Sequence, residues 1–287
     1  MSAAHSPARA PHSTTTSSGP TRSIGAGRIS ATTAVQRTVH SELVKLRSLR
    51  SHLWLLGVAT TFTMVLGPIQ SLGQVLAGPD RSVKDSDAAL AEALSGVTTS
   101  ALLLGILGVL VVTGEYVPRA IRTTFMLVPR RRYVVAAKAV TLGLVTAVTG
   151  AVAVAVAVTA SSVMFTRAGV DIGWTSPNTA RVSLALVWYL VGWAVLGQVA
   201  GWVTRSKLGG AALLVVVMLV AAPLVSLLPG RVGDVLPALM PSSAGGAMIS
   251  TSHASTLTSP SVGLALWTGY LVVLTSIAAW TVSRRDA

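Results

Sequence analysis

The chain has 287 residues, 52% hydrophobic and only 11% charged, against roughly 25% charged in ordinary soluble domains. A water-soluble fold of this length needs more polar surface to cover itself, so the composition predicts an all-α integral membrane protein. The net charge of +13 does not indicate nucleic acid, because the basic residues cluster beside apolar runs, where the negative potential of an inner leaflet attracts them. Cysteine is absent, which excludes disulfides, thiolate metal sites and a cysteine nucleophile.

Residues 1–35 are rich in Ser, Thr, Ala, Gly and Pro. They bury too little to offset chain entropy, so the composition predicts a disordered tail, and they lack the apolar core of a cleaved leader. Residues 36–287 form the expected membrane domain. Within 39–54, Val39, Leu43, Leu46, Leu49 and Leu53 follow the spacing of one helix face. With Glu42, Lys45, Arg47 and Arg50 around that stripe, the segment reads as an interfacial helix lying on the inner leaflet. Its alternative is the basic flank of the first span.

Six spans are expected by length and lack of charge, at about 53–76, 94–113, 139–165, 182–204, 208–228 and 262–282. Pro68 falls inside the first. The alternating AVAVAVAV run of the third reads as helix, because a lone strand leaves its backbone unpaired in lipid. Gly197 and Gly201 form a G-x-x-x-G pair in the fourth span, and Ala147, Ala151 and Ala155 repeat every four residues in the third. Both patterns predict close helix approach, within the chain rather than in a dimer seam.

Between the second and third spans lies TGEYVPRAIRTTFMLVPRRRYVVAAK (113–138), with six basic residues and one carboxylate, Glu115. Pro118 suits the first turn of a short helix and Pro129 ends one near Leu127. Arg119, Arg122 and Thr123 would then be exposed around Ile121 and Phe125. The stretch reads as a segment that docks onto a cytoplasmic partner, or more plainly as a basic loop. Lys and Arg in the N-terminal region, this loop, the 205–207 turn and the tail number 7, 6, 2 and 2, which sum to 17, against 5 on the other side. Both termini are therefore expected in the cytoplasm. The segment 229–261 mixes short apolar pieces with Pro, Gly and Ser and reads as short helices forming an outer lid.

No Asp, Glu, Lys, Arg or His falls within these six ranges, which disfavours an ion-coupled carrier. No zinc-protease or P-loop motif is present. The expectation is a chain with no catalytic site, metal or cofactor of its own, driven by a separate subunit.

Three stretches carry a family resemblance: SELVKLRSLRSHLWLL (41–56), the 113–138 segment, and LPALMPSSAGGAM (236–248). They resemble the membrane-spanning permease of ABC transporters of the type-2 exporter class, in its actinobacterial form. The resemblance implies a permease paired with a second copy or a paralogue, and with cytoplasmic ATPase subunits that bind ATP and Mg. It implies that Glu115, Tyr116, Arg119, Ile121, Arg122, Thr123 and Thr124 occupy a coupling helix seated in the ATPase, in a bacterial plasma membrane. This chain departs from the family in having Arg119-Ala120, preceded by Pro118, where Gly-Thr is frequent. A membrane scaffold or sensor subunit and an ion-coupled carrier are the alternatives.

Overall fold

The structure, a computed structural model, describes residues 50–77, 85–116, 131–251 and 259–284. The described residues are mostly helical and include no strand. In chain order the helices are α1 (Arg50–Leu76), α2 (Ser86–Ala93), α3 (Val97–Thr113), α4 (Arg131–Arg167), α5 (Pro177–Thr204), α6 (Lys207–Val215), α7 (Ala221–Val225), α8 (Arg231–Val235), α9 (Pro241–Ile249) and α10 (Pro260–Arg284). A single wide π turn, Val216–Val220, joins α6 to α7. Six stretches are long and apolar enough to cross a membrane: Arg50–Leu76, Ser86–Thr113, Val134–Arg167, Pro177–Thr204, Lys207–Val225 and Pro260–Arg284. Their outward faces expose Val140, Leu144, Val148 and Val152 of α4 and Val272, Val273 and Ile277 of α10. A soluble protein hides such a surface, and the chain is a multi-pass membrane protein.

The six stretches match the expected spans in number, and they differ at the ends. Several expected spans stop beside a charge, whereas a charge near a helix end does not stop the backbone hydrogen-bond ladder. Thus the second stretch begins at Ser86 rather than near 94, because Asp85 caps α2 by accepting from the Ala88 amide at 3.3 Å. α4, which carries the third span, begins at Arg131 rather than near 139. The fifth stretch ends earlier than expected, at Val225. The AVAVAVAV run is helical and Pro68 lies inside α1.

α5 is the most buried of the six stretches; α3, α4, α6 and α10 pack against it, while α1 packs on α3 and α4. α5 runs parallel to α3 at very short range. A Cβ placed on Gly197 would lie 1.9 Å from the Gly105 carbonyl oxygen, and one on Gly108 would lie 2.1 Å from that of Ala194. Gly201 backs onto Val109 and Val112 of the same helix. Such an approach gains dispersion contacts that side chains would block. The alanine repeat of α4 behaves otherwise. Ala147 is half-buried, but Ala151 and Ala155 are exposed, so these two do not serve packing within the chain. A strict spacing of four drifts round a helix of 3.6 residues per turn. The buried line of α4 is instead Leu142, Thr146, Gly150, Ala153, Val154, Ala157 and Val158.

Hydroxyls along the spans mostly turn back on their own helices. Thr60 donates to the Leu56 carbonyl, Thr113 to Val109, Thr149 to Val145 and Ser276 to Val272. Some cross between helices: Thr63 donates to Ser100 at 2.7 Å, Ser100 to the Ala59 carbonyl at 2.7 Å, and Ser71 to Ser161 at 3.0 Å, tying α1 to α3 and α4.

The bundle has a basic end and an acidic end. Arg50, Lys138, Arg205, Lys207 and Arg284 lie at the first; Asp85, Asp87, Glu92, Asp171 and Asp234 lie at the second, beside Arg167, Arg181 and Arg231. At the acidic end, α8, a single turn at Pro237–Leu239 and α9 form folded structure between the fifth and sixth stretches. α9 packs back into the bundle. The Gly245 position faces the Tyr189 ring, and Gly263 of α10 lies against Ala244 and Met248. Beneath it Tyr189, Trp193 and Trp267 form an aromatic knot, with Trp267 at 5.4 Å from each of the other two rings.

Candidate functional site

The loop picked out by the sequence leaves the bundle at the basic end, and both its roots are described. The first root is the end of α3. Thr113 is buried, and Gly114–Tyr116 forms one 3-10 turn that carries Glu115 and Tyr116. Tyr116 is half-buried. Its ring meets Trp202 of α5 edge-on at 6.1 Å, and the Arg205 guanidinium lies 5.8 Å from its centre. Arg205 ends α5 in a left-handed conformation, with φ of 52°, the only non-glycine residue with positive φ among those described. The side chain that stacks on Tyr116 therefore sits on a backbone shape that usually favours glycine.

The second root is the start of α4. Val135 joins Val112, Trp202, Ala278 and Val282 in a compact apolar cluster that closes α3, α4, α5 and α10 together. One turn on, Lys138 is 2% exposed, so it is buried although it is a lysine. Its carbonyl accepts from the Gln198 side-chain amide at 3.0 Å. His52 of α1 is also buried, and it lies within electrostatic range of Lys138 and Lys207. The sequence reading placed no ionisable group inside a span. The early start of α4 corrects this, because it brings Lys138 into the helix.

Of the residues singled out from the sequence, Glu42, Lys45, Leu46 and Arg47 lie outside the described residues, as do Arg119, Ile121, Arg122, Thr123 and Thr124. Arg50 is the exposed first residue of α1. The two proposed contact regions therefore appear here only by their roots. Sequence reasoning missed Trp202, Arg205, Lys138, Gln198 and His52. Gln198 offered a signal, as a lone amide inside an apolar run. The others offered none in periodicity. No cluster of three or more potential metal ligands occurs among the described residues.

Tyr116 links the end of α3 to α5 through the Trp202 contact, and α5 touches most of the bundle. The Tyr116→Ala variant is expected to lose about 0.5–1.5 kcal/mol from the ring pair. A double-mutant cycle with Arg205→Gln, read by thermal unfolding in detergent, should return a further coupling of about 0.5–1 kcal/mol. Additive single effects would show that the guanidinium and the ring act independently.

The fold thus defines a six-stretch membrane protein with a basic loop rooted on its central helix. No protein-family model matches the chain, and neither does any curated protein.

Proposed function

We propose that the chain is the permease subunit of an ATP-driven transporter, exporting an amphipathic or hydrophobic substrate such as a drug, an antibiotic or a lipid. The observation that carries this reading is the base just described, which ties the 113–138 loop to the most buried helix through Tyr116, Trp202 and Arg205. The resemblance of 41–56, 113–138 and 236–248 to type-2 ABC permeases supports it. On this reading the basic end is cytoplasmic, with both termini, and the membrane is the bacterial plasma membrane. Two copies, or this chain and a paralogue, enclose the path. ATP and Mg bind in a separate cytoplasmic ATPase. This chain performs no covalent chemistry, binds no metal and has no nucleic-acid partner. Glu115, Tyr116, Arg119, Ile121, Arg122, Thr123 and Thr124 meet the ATPase, and the 39–54 helix lies on the inner leaflet. A lever of this kind must bind the two ATPase states with different affinity.

The test is a mild-detergent pull-down of the tagged chain from its native host, with mass spectrometry of what co-purifies. A stoichiometric P-loop ATPase is expected with the wild type. Glu115→Arg should remove it and abolish export at normal expression. Recovery of a self-sufficient oligomer without ATPase would refute the reading and bring a scaffold or sensor subunit forward.

Buried Lys138 beside His52 favours a second reading, an ion-coupled carrier, because charges inside spans are retained for function. Their place near the helix ends, rather than midway, ranks this reading second. Transport driven by a pH gradient in ATPase-free proteoliposomes would reverse the order.

A further inference from the structure

At the acidic end, the first halves of α5 and α10 and the end of α9 enclose a cavity of about 540 Å³. That volume falls within the roughly 300–1,000 Å³ of small-molecule sites. Its walls include Leu184, Ala185, Trp188, Met248 and Leu264, with Ser259 and Ser261 at the start of α10, and among the described residues its one charged wall residue is Arg181. Leu184 and Leu264 are exposed, so the slot opens on the apolar flank of the bundle. The Trp188 indole N–H already donates to Thr268, which leaves its ring as an apolar wall.

Arg181 is well bonded, and among the described residues it has no carboxylate partner. Its Nε and Nη2 donate to the Asn178 amide oxygen at 3.2 and 2.8 Å; Nη2 also donates to the Ser250 carbonyl at 2.7 Å and Nη1 to that of Met248 at 3.4 Å. All of these acceptors are neutral. The nearest carboxylate in this network is Asp87, which accepts from the other end of the Asn178 amide. The amide holds it off the guanidinium. Among the described residues, no anion stands against this half-buried cation at the head of the apolar slot. An anion there would form charge-assisted bonds, which are stronger than those to neutral oxygens, and the long bond to Met248 is the first to yield.

We propose that this cavity binds a single-chain amphiphile with an anionic head, carboxylate or phosphate, with the head on Arg181 and the chain along Leu184, Trp188 and Leu264. One charge at one end of one apolar slot matches one head and one chain. A cation would be repelled, and a neutral chain would leave the guanidinium unused. The inference concerns binding and does not depend on ATP-driven export.

The test uses the full chain in phosphatidylcholine nanodiscs, titrated with radiolabelled palmitate and, as neutral comparator, hexadecanol. Saturable palmitate binding is expected. Arg181→Gln should weaken it by about tenfold, the loss of one charged hydrogen bond, while leaving hexadecanol unchanged. Arg181→Lys, which keeps the charge, should retain most of the palmitate affinity. Leu264→Trp, which fills the slot, should weaken both ligands. Displacement of palmitate by oleoyl lysophosphatidate assigns a phosphate head, and its failure to displace assigns a carboxylate. Equal affinity of the wild type for palmitate and hexadecanol would overturn the proposal and leave an ordinary lipid-filled groove. Palmitate binding untouched by Arg181→Gln, in protein that elutes as wild type, would overturn it too.

Discussion

Replacing Gly197 with alanine should destabilise the chain by about 1–3 kcal/mol, and replacing it with leucine should prevent recovery of folded protein. The added Cβ would lie 1.9 Å from the Gly105 carbonyl oxygen and 2.7 Å from its carbon. Both are backbone atoms, so no side-chain rotation can relieve the clash. α3 and α5 must separate, and Gly108, Gly201, Val109 and Val112 lose their contacts together. Gly269 of α10 provides the control, since a Cβ there meets nothing within 4 Å. Gly269→Ala should be neutral or gain about 0.5–1 kcal/mol from helix propensity. Thermal unfolding in detergent, followed by circular dichroism, compares the two. Equal stability of Gly197→Ala and Gly269→Ala would show that the interface yields without loss.

Trp267→Ala should cost about 3–5 kcal/mol, the usual effect of removing a large buried ring. Trp267 is 0% exposed, stacked on Tyr189 at 27° and tilted against Trp193 at 55°. Room for it is made by Gly192, where a Cβ would lie 2.4 Å from the indole. The knot also carries α9, because the Gly245 position rests on Tyr189 and is 3.3 Å from Trp267. Loss of the ring should therefore speed amide exchange across Pro241–Ile249 more than across α3. Trp267→Phe should show a smaller effect on both. Wild-type protection of α9 in Trp267→Ala would mean that other contacts hold it. The candidates are Arg181 on the Met248 and Ser250 carbonyls and Tyr270 on the Leu239 carbonyl.

The spans were legible because apolarity over some twenty residues is a property of the whole run and survives any local error. Their ends were not, because a helix obeys its hydrogen bonds while a lipid criterion obeys charge. Asp87 and Lys138 both show it: each lies in a helix that starts upstream of the expected span. The short helices of 229–249 were foreseen in kind from Pro and Gly punctuation. Their docking on Tyr189 and Trp267 was not, since it depends on residues dozens of positions apart. The same holds for Arg181: nothing in VSLALVW tells the reader that the preceding arginine meets the end of α9. At the basic end, Tyr116 was read for its place in a motif, and its partners Trp202 and Arg205 came only from the packing.

The hydroxyls of the spans carry a consequence for how the surface of this protein is to be understood. A Thr or Ser that bonds the carbonyl one turn back leaves the bilayer facing methyl and methylene groups. Thr60, Thr149 and Ser276 do this, so a tally of polar residues overstates what a neighbouring acyl chain meets. Each such bond is also exchangeable. A hydroxyl that turns from its own backbone to a guest gives up one bond and gains one, so the walls of these helices keep donors in reserve while presenting hydrocarbon at rest.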